Sequence, residues 1–371
     1  MKKVSIITIL DNINYGTYLQ ALALGMVIQR LGYEVTYIRY IRECTTPKYR
    51  LAQIKADSYI RYLYHRYLRV PQVEDLKNKD VAFLNRFVSV SPNYYSLEEI
   101  MQKLPESDVY MTGSDQVWNS VYNRGVDRCM YLDFVPNGAK RVAYAASLGL
   151  DSIPEDEKVE TIRLLKRYSQ ITVREQQAVS LLKTLGIESK VVLDPTLLLN
   201  GVEWTAIAQT QPMELNEPFL LVYSVEGTRE AALMEKYATF IAKERKLKIY
   251  EISYQHSMKK MRFADKHFCL ATPDVFLNLI SKASFVVVSS FHGTAFSINM
   301  NKQFLTIMPG RFNSRVENIL NITGLHDRLV TDDSFSVNSL QEIDYSIVNG
   351  RLSEERNASI AILEDLLRTE E

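Results

Sequence analysis

The sequence predicts an α/β protein built from two doubly wound domains, and three observations support that reading. Apolar, strand-like runs alternate with helix-period stretches along almost the whole chain. Strand 4–10, helix 17–31 and strand 34–40 form a βαβ start of the kind that begins a parallel sheet. At 371 residues the chain is long enough for two domains of ordinary size. The periodicity weakens between positions 200 and 218, where Pro212 and Pro218 punctuate it. The expected division is therefore 1–200 and 201–371.

Each element has its own warrant. The apolar run 4–10 is too short for a signal peptide, is broken by Asp11 and has no small-residue cleavage site, so it reads as a strand. In helix 17–31, Leu19, Leu22, Ala23, Met26, Val27 and Ile28 share one side, and Gly32 stops it. No G-x-G-x-x-G accompanies this unit, so no dinucleotide is expected. Strands follow at 108–112, 141–146, 170–174 and 190–194, with helix 176–185, stopped by Gly186, between the last two. Strand 219–223 opens the second domain. Helix 228–245, strand 248–253, helix 274–282, strand 284–288, strand 303–308 and an amphipathic terminal helix 353–368 complete it.

Residues 46–70 break the rhythm. Lys48, Arg50, Lys55, Arg61, Arg66 and Arg69 alternate with Tyr49, Tyr59, Tyr62, Tyr64 and Tyr67, and only Asp57 opposes them. The plain reading is a solvated helical insertion whose tyrosines pack on the domain. Two others are an interfacial helix facing anionic lipid and a glycan-binding arm.

Composition narrows the class. The chain is 46% hydrophobic and 24% charged, as soluble globular proteins are. Lys+Arg 44 balance Asp+Glu 44, so no global basic field points to nucleic acid. No apolar run approaches the ~20 residues that span a bilayer. Cys44, Cys129 and Cys269 are odd in number and far apart, with no zinc pattern and no disulfide framework, which fits a reducing cytoplasm. His65, His256, His267 and His326 show no ligand-like spacing, so no metal site is expected.

The most informative stretch is 284–296. A buried strand, FVVV, leads into Ser289, Ser290, Phe291, His292, Gly293 and Thr294 and the first turn of a helix. Open α/β sheets bind ligands at such strand ends, and a helix N-terminus favours an anion. Gly293 would let the backbone approach a ligand closely. His292 adds a group that carries or moves a proton near neutral pH. Other polar clusters follow other strands: Asp11, Asn12, Asn14 and Tyr15; Gly113, Ser114 and Asp115; Ser147 and Gly149; and Arg174. Each has a structural alternative, such as a helix cap for Asn14, a turn for Asp115 or an ion pair for Arg174. Together they point to a site.

The loop and its companions resemble the polysaccharide pyruvyl transferase family. NYGTYLQALAL at 14–24 is similar to the family's opening signature, and GSDQVWN at 113–119 to its next segment. AYAASLG at 143–149, VRE at 173–175 and LDPTLL at 193–198 follow in family order. SFHGTAF at 290–296 resembles the SFHG-x-x-F motif, and Asn313-Ser314-Arg315 the N-x-R after it. Each piece alone is weak; seven in order are specific to the family, though not to one substrate.

The resemblance implies two Rossmann-like domains facing across a cleft, the GT-B-like arrangement. It also implies transfer of the pyruvyl group of phosphoenolpyruvate onto two hydroxyls of one sugar in a surface or capsular glycan, forming a ketal and releasing phosphate. No cofactor is implied beyond that donor. By the same resemblance, Arg174 would grip the donor's carboxylate or phosphate, since arginine bonds oxygens in pairs. His292 would bind the phosphate and donate a proton, with Ser290, Phe291, Gly293 and Thr294 as the cradle. Arg315 would reach the same phosphate, with Arg311 the weaker candidate, and Asn313 beside it. Asp115 would orient or deprotonate an acceptor hydroxyl, while Asn14, Tyr15, Gly16 and Ser147 would bind substrate, the first three on the acceptor side. Ser290 stands where some relatives carry a basic residue, which puts more weight on Arg174 and Arg315. If the acceptor is lipid-linked, the 46–70 arm gains a purpose at the inner membrane face. Two other functions stay open: a glycosyltransferase of the same fold using a nucleotide sugar, and a non-catalytic carbohydrate-binding member.

Overall fold

The computed structural model describes residues 1–224, 228–253, 261–308, 313–337 and 340–369, side chains at 228–230 and 313 excepted. Contacts divide the chain into two units. The first takes residues 1–13, 17–198 and 357–371, the second 14–16 and 199–356. The chain passes between the two units four times. Asn14–Gly16 belongs with the second unit and the end of the terminal helix with the first.

The first unit holds seven parallel strands: β1 (Lys3–Ile7), β2 (Glu34–Tyr40), β3 (Ser89–Tyr94), β4 (Val109–Thr112), β5 (Lys140–Ala146), β6 (Gln170–Val173) and β7 (Lys190–Val191). Their order is β3-β2-β1-β4-β5-β6-β7. The central strands are apolar on both faces because helices cover both sides, as a parallel sheet requires. Ile7, Ile38, Trp118, Tyr131 and Leu164 lie in its core. The order reverses between β1 and β4, so the loops after these strands diverge to opposite faces and leave a crevice at their ends.

Strand β3 escaped the sequence reading because Pro92 interrupts it. Proline is tolerated here because β3 is an edge strand. The pairing with β2 shifts between Tyr37 and Arg39, where the Arg39 amide donates to Ser91 Oγ at 3.0 Å instead. The run 46–70 is helical, as Pro47–Asp57, Tyr59–Tyr64 and a π-helical turn His65–Arg69 that continues into helix Val70–Asn85.

Among the described residues the second unit holds six parallel strands: β8 (Phe219–Ser224), β9 (Lys248–Ser253), β10 (Lys266–Phe268), β11 (Phe285–Val288), β12 (Phe304–Ile307) and β13 (Leu329–Val330). Their order is β10-β9-β8-β11-β12-β13, with the reversal between β8 and β11. Leu220, Val222, Met234, Phe285, Val287 and Leu305 form its core. The weak periodicity expected at 200–218 hides a helix, Gly201–Gln209. Asn200 and Glu203 form a capping box at its start, and Trp204 packs edge-on against Phe296 at 4.9 Å. The last helix, Tyr345–Leu367, begins earlier than the expected 353.

Candidate functional site

In the second unit the sequence-predicted loop sits at the switch point. Strand β11 pairs with β8, and at their ends the Ser289 and Ser224 hydroxyls lie 3.2 Å apart. Ser290 then turns the chain into helix Phe291–Asn299. Its backbone is extended, and its Oγ accepts the Gly293 amide at 3.0 Å, an N-cap that satisfies one orphan donor. His292 falls in the first turn, with its ring edge-on to Phe291 at 5.2 Å. The Arg315 guanidinium lies 5.8 Å from the Phe291 ring centre.

Asn14, Tyr15 and Gly16 join this group. The Gly16 amide donates to Asn14 Oδ1 at 3.0 Å, so Asn14 caps helix Tyr15–Arg30. A Cβ on Gly16 would lie 2.1 Å from His292 Nδ1, so the absent side chain is the space the imidazole occupies. Tyr15 stacks on Phe276 at 5.2 Å, and its hydroxyl donates to the Ser253 carbonyl at 2.7 Å. Tyr15 is buried in this packing, and the three residues are grouped with His292 in the second unit.

The first unit gathers a second group at the ends of β4, β5 and β6. Gly113, at φ 119, has no room for a Cβ because the Tyr144 carbonyl oxygen would be 2.1 Å away. Asp115 follows at φ 76, in the left-handed region that aspartate tolerates better than most residues. Its Oδ1 accepts from the Gln116 amide at 2.9 Å and from Arg174 at 3.1 Å, and its Oδ2 accepts from Thr17 Oγ1 at 2.8 Å. The Ser147 amide donates to the Asp115 carbonyl at 3.0 Å, and Ser147 Oγ donates to Glu175 at 2.7 Å.

Arg174 is the hub of that group. Its guanidinium donates to Asp115, to Glu175 at 3.2 Å and to Asp194 at 2.8 Å. Burial works against its charge, but these three carboxylates hold it more firmly protonated than usual. Its guanidinium is thus engaged by three carboxylates of the same unit.

Exposure sorts the remaining candidates. His292 and Ser290 are each 8% exposed and Asp115 7%, so all three are largely buried. Thr294 and Ser147 are 0% exposed. Thr294 Oγ1 donates to the Ser290 carbonyl at 2.9 Å and meets Thr306 Oγ1 at 2.9 Å, so it supports the loop from beneath. Gly293 also serves packing: a Cβ there would lie 2.8 Å from Val288 Cγ1. That is close strand-to-helix contact. Arg311 lies outside the described residues, as do His256 and the side chain of Asn313.

One buried pair was missed. Asp11, fully buried after β1, accepts from the Arg42 amide at 3.0 Å, from its Nε at 2.9 Å, from its guanidinium again at 2.7 Å and from Thr45 Oγ1 at 2.9 Å. Burial raises the Asp11 pKa, but Arg42 and Thr45 more than offset it and the net direction is down. The cluster Asp11–Asn12 after a strand was the readable signal; its partner 31 residues on was not. Among the described residues no group of three or more His, Cys, Asp or Glu is arranged to hold a metal, and no helix is long and apolar enough to cross a membrane. All three cysteines are free.

Solved structures share this fold. The UDP-GlcNAc 2-epimerase of Neisseria meningitidis bound to UDP-GlcNAc superposes with a TM-score of 0.53 at 11% identity, covering 100% of each chain. A second UDP-N-acetylglucosamine 2-epimerase gives 0.55 at 11%, covering 100% of this chain and 98% of that one. The Methanocaldococcus jannaschii UDP-GlcNAc 2-epimerase gives 0.50 at 11%, covering 96% and 93%. At such identity the likeness shows the fold alone, which is GT-B-like. No curated protein matches by sequence. The family model described as polysaccharide pyruvyl transferase matches residues 14–310, from the Asn14 cap to just beyond β12, and so takes in His292 and the Asp115–Arg174 group, while Arg315 lies beyond it. The chain belongs to the polysaccharide pyruvyl transferase family.

Proposed function

We propose that the protein is a ketal-forming pyruvyl transferase that uses phosphoenolpyruvate and a glycan acceptor. The observation that carries the reading is the imidazole of His292, held in the space left by Gly16 at the N-terminus of a Ser290-capped helix. A helix N-terminus favours a phosphate, and a histidine beside it supplies charge or a proton to that phosphate and the carbon it leaves.

The reaction sets the roles. The donor's methylene carbon takes one proton and becomes a methyl group. Two C–O bonds form at the adjacent carbon, one to each sugar oxygen, and its bond to the phosphate oxygen breaks. Of the two hydroxyl protons, one is balanced by the new methyl hydrogen and one leaves with inorganic phosphate. His292 holds the phosphate and serves as the acid; Arg315, beside Phe291, adds cationic charge. Asp115, fixed by Arg174, Thr17 and the Gln116 amide, accepts a hydroxyl proton. Arg174 is a positioning residue for it.

The test is phosphate release from phosphoenolpyruvate with a glycan acceptor pool, run in D2O. One deuterium in the product methyl and at least ~100-fold slower turnover in His292→Ala and Asp115→Asn are expected. Folded variants with near-normal turnover would remove these roles. The alternative is a nucleotide-sugar donor, favoured by the likeness to a structure with UDP-GlcNAc bound. Release of nucleoside diphosphate, with none of phosphate, would establish it.

A further inference from the structure

The helical arm 47–69 has no part in the chemistry above, and its surroundings are unusual. Not one of its residues is buried. The sequence allowed for tyrosines packed on the domain, yet Tyr59 is 61% exposed and Tyr67 66%. Ile60, at 81%, and Leu68, at 55%, stand in solvent beside them. Large aliphatic side chains grouped like this mark a surface that something covers.

The pattern says what covers it. Residues four apart are neighbours both on helix Tyr59–Tyr64 and on the wider π-helical turn His65–Arg69, so Tyr59, Leu63 and Tyr67 stack in one row, and Ile60, Tyr64 and Leu68 in the next. Arg61, His65 and Arg69 fall on the opposite side by the same count. Cations also rim the apolar rows: Arg66 lies 5.8 Å from the Tyr62 ring centre and 5.6 Å from that of Tyr67, and Lys55 lies 5.8 Å from Tyr62. The arm carries Lys48, Arg50, Lys55, Arg61, Arg66 and Arg69 against Asp57 alone, while the whole chain is neutral. Its charge is therefore concentrated. A second copy would bring the same cations face to face and be repelled. A polyanion such as a nucleic acid would neutralise the cations but leave Ile60, Leu63 and Leu68 in water.

We infer that this arm docks the protein on an anionic phospholipid surface. The helix lies in the interface plane, its two apolar rows entering the acyl boundary and its cations pairing with lipid phosphates. Tyrosine suits the boundary, with an apolar ring and a hydroxyl that stays among headgroups. The inference is independent of the donor and of the reaction.

The experiment is co-sedimentation of the full chain with vesicles of phosphatidylcholine alone or mixed with phosphatidylglycerol, at low and high salt. Two triple variants accompany it, Ile60→Ser/Leu63→Ser/Leu68→Ser and Arg61→Gln/Arg66→Gln/Arg69→Gln. With no buried side chain in the arm, both should melt with the parent. Binding is expected only with phosphatidylglycerol, weakened by salt and reduced at least ~10-fold in each variant. No binding to the mixed vesicles, or binding unchanged in either variant, overturns the inference. So does a dimer in sedimentation equilibrium that the apolar variant dissolves, since a second copy would then cover the face.

Discussion

A methyl group at position 16 would come within 2.1 Å of the His292 ring, so Gly16 and His292 are coupled by space alone. Gly16→Ala must push the imidazole aside. A displacement of about 1 Å in a reacting group can cost 10²-fold in rate. We expect turnover to fall at least ~10-fold while the melting temperature moves little; a variant with normal turnover would uncouple the two. The Asp11–Arg42 pair tests burial instead. Arg42→Met strands a carboxylate that is 0% exposed, a change costing about 3–5 kcal/mol at neutral pH. In the parent, the Asp11 pKa is lowered, burial notwithstanding, so the pair's contribution is full above the unfolded carboxylate value of about 3.9 and is lost as pH falls through the folded value. Without the Arg42 guanidinium, burial is opposed only by the residue-42 amide and Thr45 Oγ1, and that pKa rises above its value in the parent. The variant's deficit should then shrink as pH falls from about 7 towards 5, and denaturant melts at both ends would show it. Residue types were legible here: His292, Asp115 and Arg174 were all singled out. Their partners were not, because nothing in a linear sequence says that Arg174 is spent on Asp115, Glu175 and Asp194.

Elements with strong periodicity were read to within a residue or two. Strands Glu34–Tyr40 and Lys248–Ser253 and helix Gln176–Thr184 are examples. Those missed had weak local signals. Strand β3 contains Pro92, and β13 is only Leu329–Val330, too short for any alternation to register. Helix Gly201–Gln209 hid behind small residues, although its Asn200/Glu203 box was readable as a start signal. Caps also separate stability from function. Ser290→Ala and Asn200→Ala each remove an N-cap worth ~1 kcal/mol. Equal losses of stability are expected, but Ser290→Ala alone should lower activity, because its helix carries His292. Equal activity in the two variants, at matched stability, would mean that Ser290 is only a cap.

For the whole molecule, the alternation of strands and helices was enough for two parallel sheets, and the motif order for the family. It did not show where the chain changes units. Asn14–Gly16 and residues 357–371 each side with the unit that is distant in sequence, because contacts rather than chain order define a unit. The two sheets place their switch points after β1 and β4 and after β8 and β11, and the polar motifs follow β4 and β11. That placement was legible as polar residues after strands, while the strand order itself came only with the structure. The reading of a phosphoenolpyruvate-dependent transferase rests on the second switch point. It is tested most directly by a thermal-shift titration with phosphoenolpyruvate, inorganic phosphate and UDP-GlcNAc on the parent and His292→Ala. A ligand at ~100 times its Kd stabilises by about 2.7 kcal/mol, a readable shift. The account predicts a shift with phosphoenolpyruvate that His292→Ala loses. A shift with UDP-GlcNAc and none with phosphoenolpyruvate would contradict it.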